Sequence, residues 1–127
     1  GWHLPSKREW EQLKNYLVSQ SSYHCNFNNE YLGKSLASTT GWNSSSTTCA
    51  VGNNPSSDNS TDFSAPPAGS FYDFGYPHFG NYSFFWLTTQ HQNPQQSYVF
   101  HVRYDSPNAT TGYMEWKGGY SVRCVRN

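Results

Sequence analysis

The hydrophobic pattern of this chain changes character twice between its two ends. Trp10, Leu13 and Leu17 recur at the spacing of an amphipathic helix, with Lys7, Arg8, Glu11 and Lys14 off the apolar stripe. Ser6, followed three residues later by Glu9, makes a capping box, and Pro5 stands ahead of the cap, where no helical hydrogen bond is lost. A helix is therefore predicted to start at this cap and to end between Ser19 and Ser22. A second helix is expected over Asn29 to Ala37, on Tyr31, Leu32, Leu36 and Ala37, with Gly33 weakening it.

From Ser38 to Gly69 the periodicity disappears. Ser, Thr, Asn, Gly and Pro dominate, and no Lys or Arg stands between Lys34 and Arg103. Trp42, Phe63 and Pro66-Pro67 supply anchors, so the stretch reads as long ordered loops, with a disordered insert at Asn53 to Asn59 as the alternative. Strand-like alternation follows. Ser83 to Thr88 is one candidate strand. Tyr98 to Tyr104 is a clearer one, with Tyr98, Phe100, Val102 and Tyr104 on one face and Val99, His101 and Arg103 on the other. Tyr113 to Trp116, after a turn at Pro107-Asn108, is a third, and Tyr120 to Val125, entered through Gly118-Gly119, a fourth. The expected architecture is α+β: two N-terminal helices packed on a small antiparallel sheet, with long ordered loops, in a single domain over residues 1–127.

Composition narrows the class. Aromatics make up 18% of the 127 residues and charged residues 13%, and the formal net charge is zero. That balance argues against nucleic acid as a partner, which calls for a clustered basic surface, and against disorder, which is poor in aromatics. No apolar run approaches the ~20 residues of a membrane helix. No signal peptide precedes Gly1-Trp2-His3-Leu4-Pro5, which enters a structured segment at once, so the chain reads as a domain excised from a longer secreted or surface protein.

The three cysteines leave pairing open. Cys25 and Cys49 sit in polar, loop-like surroundings and suit a disulfide in an oxidising compartment. Cys124, in the strand-like run Ser121 to Val125, reads as a buried free thiol. Three reduced thiols are the alternative.

Trp2-His3-Leu4-Pro5-Ser6 with Glu9-Trp10 and Leu13 resembles the opening of the Fibrobacter succinogenes major paralogous domain. Gly33-Lys34-Ser35-Leu36 with Gly41-Trp42 is similar to its second signature, and Asp62-Phe63-Ser64-Ala65 with Pro67-Ala68-Gly69 to its middle. Gly80, Phe85-Trp86 and the closing Ser121 to Arg126 complete the pattern over nearly the whole chain. The resemblance implies a C-type-lectin-like fold, shared with formylglycine-generating enzymes, in secreted or lipid-anchored bacterial proteins. Some relatives are variable proteins of diversity-generating retroelements, including phage adhesins, whose C-terminal strands and loops carry the ligand contacts. This chain departs from the common pattern at Trp86-Leu87-Thr88-Thr89, where many relatives read Trp-Ser-Ser-Thr.

Catalytic motifs are missing. His3, His24, His78, His91 and His101 show no paired metal-ligand spacing, and no phosphate loop or nucleophile elbow occurs. A formylglycine-generating enzyme needs a copper-binding cysteine pair, whereas Cys124 closes the scaffold and Cys25 and Cys49 precede the relevant loops. Calcium-binding lectin triplets are absent as well. Asn93-Pro94-Gln95 is only loosely similar to one, and Asp58, Asp62 and Asp73 are the carboxylates that could gather in the loops. The expectation is a non-catalytic, adhesin-like recognition domain without a cofactor, secreted or at a cell surface, binding a glycan or a protein. A structural module of an envelope protein and a calcium-dependent lectin are the alternatives.

The candidate ligand contacts are His91, Gln92, His101, Arg103, Tyr104, Tyr113, Glu115 and Trp116. Tyr and Trp give large contact area at small entropic cost. Filling the core is the competing role for Tyr104, Tyr113 and Trp116, while His101 and Arg103 are expected to be exposed. Trp2, Trp10, Trp42 and Trp86 are assigned to the scaffold.

Overall fold

A computed structural model describes residues 1–72 and 75–127; the expectation for Asp73 lies outside them. The order of elements is β1 (Trp2–His3), α1 (Lys7–Val18), α2 (Gly33–Leu36), β2 (Tyr82–Gln90), β3 (Gln96–Arg103), β4 (Ala109–Glu115) and β5 (Val125–Arg126). Short 3-10 turns fall at Ser21–Tyr23 and Pro55–Ser57. The chain is α+β with a small antiparallel sheet, as its pattern predicts.

The capping box forms. Ser6 Oγ accepts from the Glu9 N–H at 3.2 Å, and Glu9 Oε2 accepts from the Ser6 N–H at 2.8 Å. The Ser6 N–H and the Ser6 hydroxyl, both donating to Glu9 Oε2 at 2.8 Å, with His3 Nε2 at 2.7 Å from Oε1, favour the charged carboxylate and hold Glu9 down at about 2. Trp10 and Leu17 are buried, and the Trp10 ring stacks on Phe100 with centroids 3.5 Å apart. Phe63 meets Trp10, Phe85 and Phe100 edge-on. The start of α1 is fastened to the sheet by Thr88 N–H to the Pro5 carbonyl and by Lys7 N–H to Thr89 Oγ1, both at 2.9 Å.

The second helix is a single turn, Gly33–Leu36, not the nine residues expected. Its neighbours explain the shortening. The Gly33 N–H is taken by the Pro107 carbonyl at 2.7 Å, and Ala37 is drawn into a bridge with Ala65. The segment around it is tied down, which corrects the alternative of a disordered insert at Asn53 to Asn59. Lys34 Nζ donates to the Asn53 carbonyl and pairs with Asp58, each at 2.5 Å, while the Asn59 N–H reaches the Lys34 carbonyl at 2.8 Å. Ala50 and Val51 are fully buried. The Asp58 side chain is fully enclosed, and burial pushes its carboxyl up to about 6 against the pull of Lys34.

β2, β3 and β4 form an antiparallel meander, with an irregularity between Trp86 and Gln90. β4 starts at Ala109, earlier than expected, directly after the Pro107-Asn108 turn. Tyr120 to Val125 is not a fourth strand of this sheet. Ser121 makes one parallel bridge to Phe85, and only Val125–Arg126 pairs, with Trp2–His3, in a separate two-stranded ladder. Cys25 and Cys49 are joined by a disulfide with Cα atoms 5.7 Å apart. Cys124 is a free thiol but is exposed, not buried, because its segment crosses the sheet edge without entering the core.

Candidate ligand-binding groove

The strand register sorts side chains onto two faces. Phe85 lies opposite Phe100, and Val102 opposite Ala109; all four belong to the core against α1. On the other face Phe84 lies opposite His101, His101 opposite Thr110, and Val99 opposite Gly112. Tyr82 and Phe84 stack there with centroids 4.9 Å apart and planes 4° from parallel. Tyr120 stands edge-on to Phe84 at 5.5 Å and to Trp86 at 4.7 Å, and His78 is edge-on to Tyr82.

Among the described residues no helix covers this second face; Phe84 and Val99 on it are buried by the flanking loops and rings. A cavity of about 250 Å³ lies over Phe84, Val99, His101 and Gly112. A second, of about 500 Å³, lies between the segment carrying Ser70 and Tyr72 and the end of β4, and Gln96, Glu115 and Tyr120 line it. His78, Tyr113 and Met114 border both, so the two make one groove. Two glycines give it its shape. A Cβ on Gly112 would reach His101 Nε2 at 3.4 Å and project into the cavity; a Cβ on Gly118 would stand 2.4 Å from the Tyr120 hydroxyl, which folds back over it. The far wall is held by reciprocal N–H to carbonyl bonds of 2.8 Å between Phe71 and Gly119.

The groove is polar at one end and largely apolar along its floor. Tyr72 donates its hydroxyl to Glu115 Oε2 at 3.1 Å. Burial raises the pKa of the Tyr120 hydroxyl, and the nearby Glu115 and Tyr72 raise it further. His101 is depressed by burial first and by the Arg103 charge second, which favours the neutral imidazole. Its Nε2 lies 3.2 Å from Thr110 Oγ1, and its Nδ1 is buried without a hydrogen-bond partner among the described residues. Beyond Tyr82 the Arg103 guanidinium is engaged by Asp105 and Tyr82, which raise its pKa.

These placements divide the candidate contacts. His101, Tyr113 and Glu115 border the groove. His101 is half-buried in its floor, not exposed as expected, because rings from β2 flank it on a face the sequence pattern left bare. Arg103 is exposed at the end of β3. The Tyr113 ring stacks on His91 at 4.4 Å, and His91 also stands edge-on to Tyr98 at 5.3 Å. Gln92 and Trp116 are exposed outside the groove lining, and Tyr104 packs against the core. Among the scaffold tryptophans, Trp10 and Trp42 are buried, Trp86 is half-buried beside Tyr120, and Trp2 is exposed on β1. Tyr72, His78, Tyr82, Phe84 and Tyr120 were not among the candidates. The alternation Tyr82, Phe84, Trp86 was the available signal, and the adjacent Phe85 obscured it.

Among the described residues no group of three or more His, Cys, Asp or Glu side chains could hold a metal ion. No helix is long and apolar enough to cross a membrane among the described residues. A family model described as the Fibrobacter succinogenes major domain matches residues 1–126. No curated protein and no solved structure matches the chain.

Proposed function

We propose, for a chain that belongs to the Fibrobacter succinogenes major domain family, a non-catalytic recognition role on a C-type-lectin-like scaffold, with a glycan as the ligand. The observation that carries this reading is the uncovered aromatic groove on the outer face of the sheet. Stacked and edge-on rings offer apolar faces to the C–H surfaces of a pyranose, and Glu115, Gln96, Ser70 and the tyrosine hydroxyls offer hydrogen bonds. The disulfide supports an oxidising, secreted or cell-surface setting. Adhesion by a variable protein of the retroelement kind is the form of this reading that the resemblance favours.

The test is a glycan array run with Ca²⁺ and again with EDTA, on the wild-type chain and on Gly112→Val and Tyr120→Ala. Binding that survives EDTA and disappears in both variants is expected. Binding abolished by EDTA would replace this reading with a calcium-dependent lectin. Silence on every glycan would move the ligand to a protein partner or the role to envelope assembly.

A further inference from the structure

The Tyr72–Glu115–Tyr120 end of the groove has a chemistry of its own. Glu115 is the only Asp, Glu, Lys or Arg side chain among the described residues that line either cavity. One of its oxygens takes the Tyr72 hydroxyl at 3.1 Å, and Tyr120 lines the same cavity. One carboxylate and two phenols therefore line the same end of the groove. The cations nearby lie outside it. Lys117 is exposed, lines neither cavity and makes no ion pair with Glu115 among the described residues, and Arg103, at the far end beyond Tyr82, is engaged by Asp105.

A carboxylate and phenol rings both attract a cation, while an anion there meets a carboxylate and, among the described residues lining the groove, no counter-charge. We propose that this end of the groove is a subsite for an ammonium group, and, resting on the glycan reading above, that the ligand is a sugar bearing a free amine instead of an acetamide or a carboxylate. The neutral floor along Phe84, Val99 and Gly112 takes the uncharged remainder of the ligand. Because Glu115 is exposed, the charge effect is modest and weakens with added salt.

Two titrations test this. Tetramethylammonium chloride is added to the labelled chain against potassium chloride at equal ionic strength, with backbone amide shifts recorded. Separately, a glucosamine trisaccharide with free amines is compared with its fully N-acetylated form and with a uronate-containing trisaccharide. The expected result is saturable shifts at Met114 to Tyr120 with tetramethylammonium alone. The free-amine sugar should bind about fivefold tighter than the acetylated one, and the uronate weakest. In Glu115→Gln the affinity ratio of amine to acetamide sugar should fall to about one, whatever the change in overall affinity; in Tyr120→Phe, which keeps the charge and the ring, the ratio should hold. Equal binding of amine and acetamide, with no tetramethylammonium shifts, would overturn the subsite and leave the glycan reading standing. Tetramethylammonium shifts without binding of any sugar would keep the subsite and overturn the glycan reading.

Discussion

The two faces of the three-stranded sheet are built from the same kind of residue and come to opposite ends. The inner face sets Phe85 and Phe100 against Trp10 and Phe63, and what remains between them is a cavity of only about 80 Å³ beneath the Arg123 guanidinium, which sits 4.3 Å from the Phe63 ring. The outer face sets Tyr82, Phe84 and His101 beside one another and leaves a groove several times larger. Aromatic content alone does not tell a core from a binding surface. What separates them here is the covering element: α1, pinned at Pro5 and Lys7, closes one face, whereas among the described residues loop segments flank the other.

The largest expected contrast is in stability. Phe100→Ala should cost about 3–5 kcal/mol in denaturant unfolding, because it opens a void under Trp10. Tyr82→Ala on the outer face should cost about 1 kcal/mol. Equal losses would mean that the outer face is as much a core as the inner one. Next comes the disulfide. Cys25 and Cys49 are 24 residues apart, and replacing both by Ser should lower unfolding free energy by about 3 kcal/mol, with little effect on ligand binding.

The third contrast depends on pH. Asp58 lies in the strap that runs with Phe63 and Ala65 over the inner face. Its carboxyl stands at about 6 when folded against an ordinary 3.8, so the folded chain holds this proton more tightly than the unfolded one. As pH rises from about 4 to 6 the wild type should therefore lose about 2 kcal/mol relative to Asp58→Asn, read as the difference between their unfolding curves. A flat difference would show that Lys34 compensates the buried charge fully. The smallest stability effect belongs to Gly112→Val, within about 1 kcal/mol because a β-branched residue suits a strand. Its effect on binding should be large, since the new side chain enters the groove beside His101.

The legible parts of this chain were those with local causes. The capping box, the Trp10 stripe and the alternation of Tyr98 to Tyr104 each depend on residues a few positions apart, and each element formed. The second helix failed because distant partners, Pro107 and Ala65, claimed its backbone. Tyr120 to Val125 looked like a strand by composition, yet its carbonyl and N–H groups at Ser121 were taken by β2 in a single crossing. For the site, His101 was within reach because β3 alternates, whereas Tyr113 and Glu115 fall on the other parity of β4, opposite Tyr98 and Gln96, and border the groove only at the end of the strand. Tyr72 and His78 were not, because loop contacts that no periodicity encodes bring them to the groove: Phe71 with Gly119 for Tyr72, and Ser70 with Pro77 for His78.

The pairing of β1 with β5 has a mechanical consequence. Trp2 lies opposite Arg126 and His3 opposite Val125, so residues 1 and 127 leave the ladder at the same end. A load applied across those two residues peels this clasp open one rung at a time instead of shearing all its rungs together. Under tension the clasp should yield at low force and lengthen the chain, acting as a fuse in series with the meander that shapes the groove.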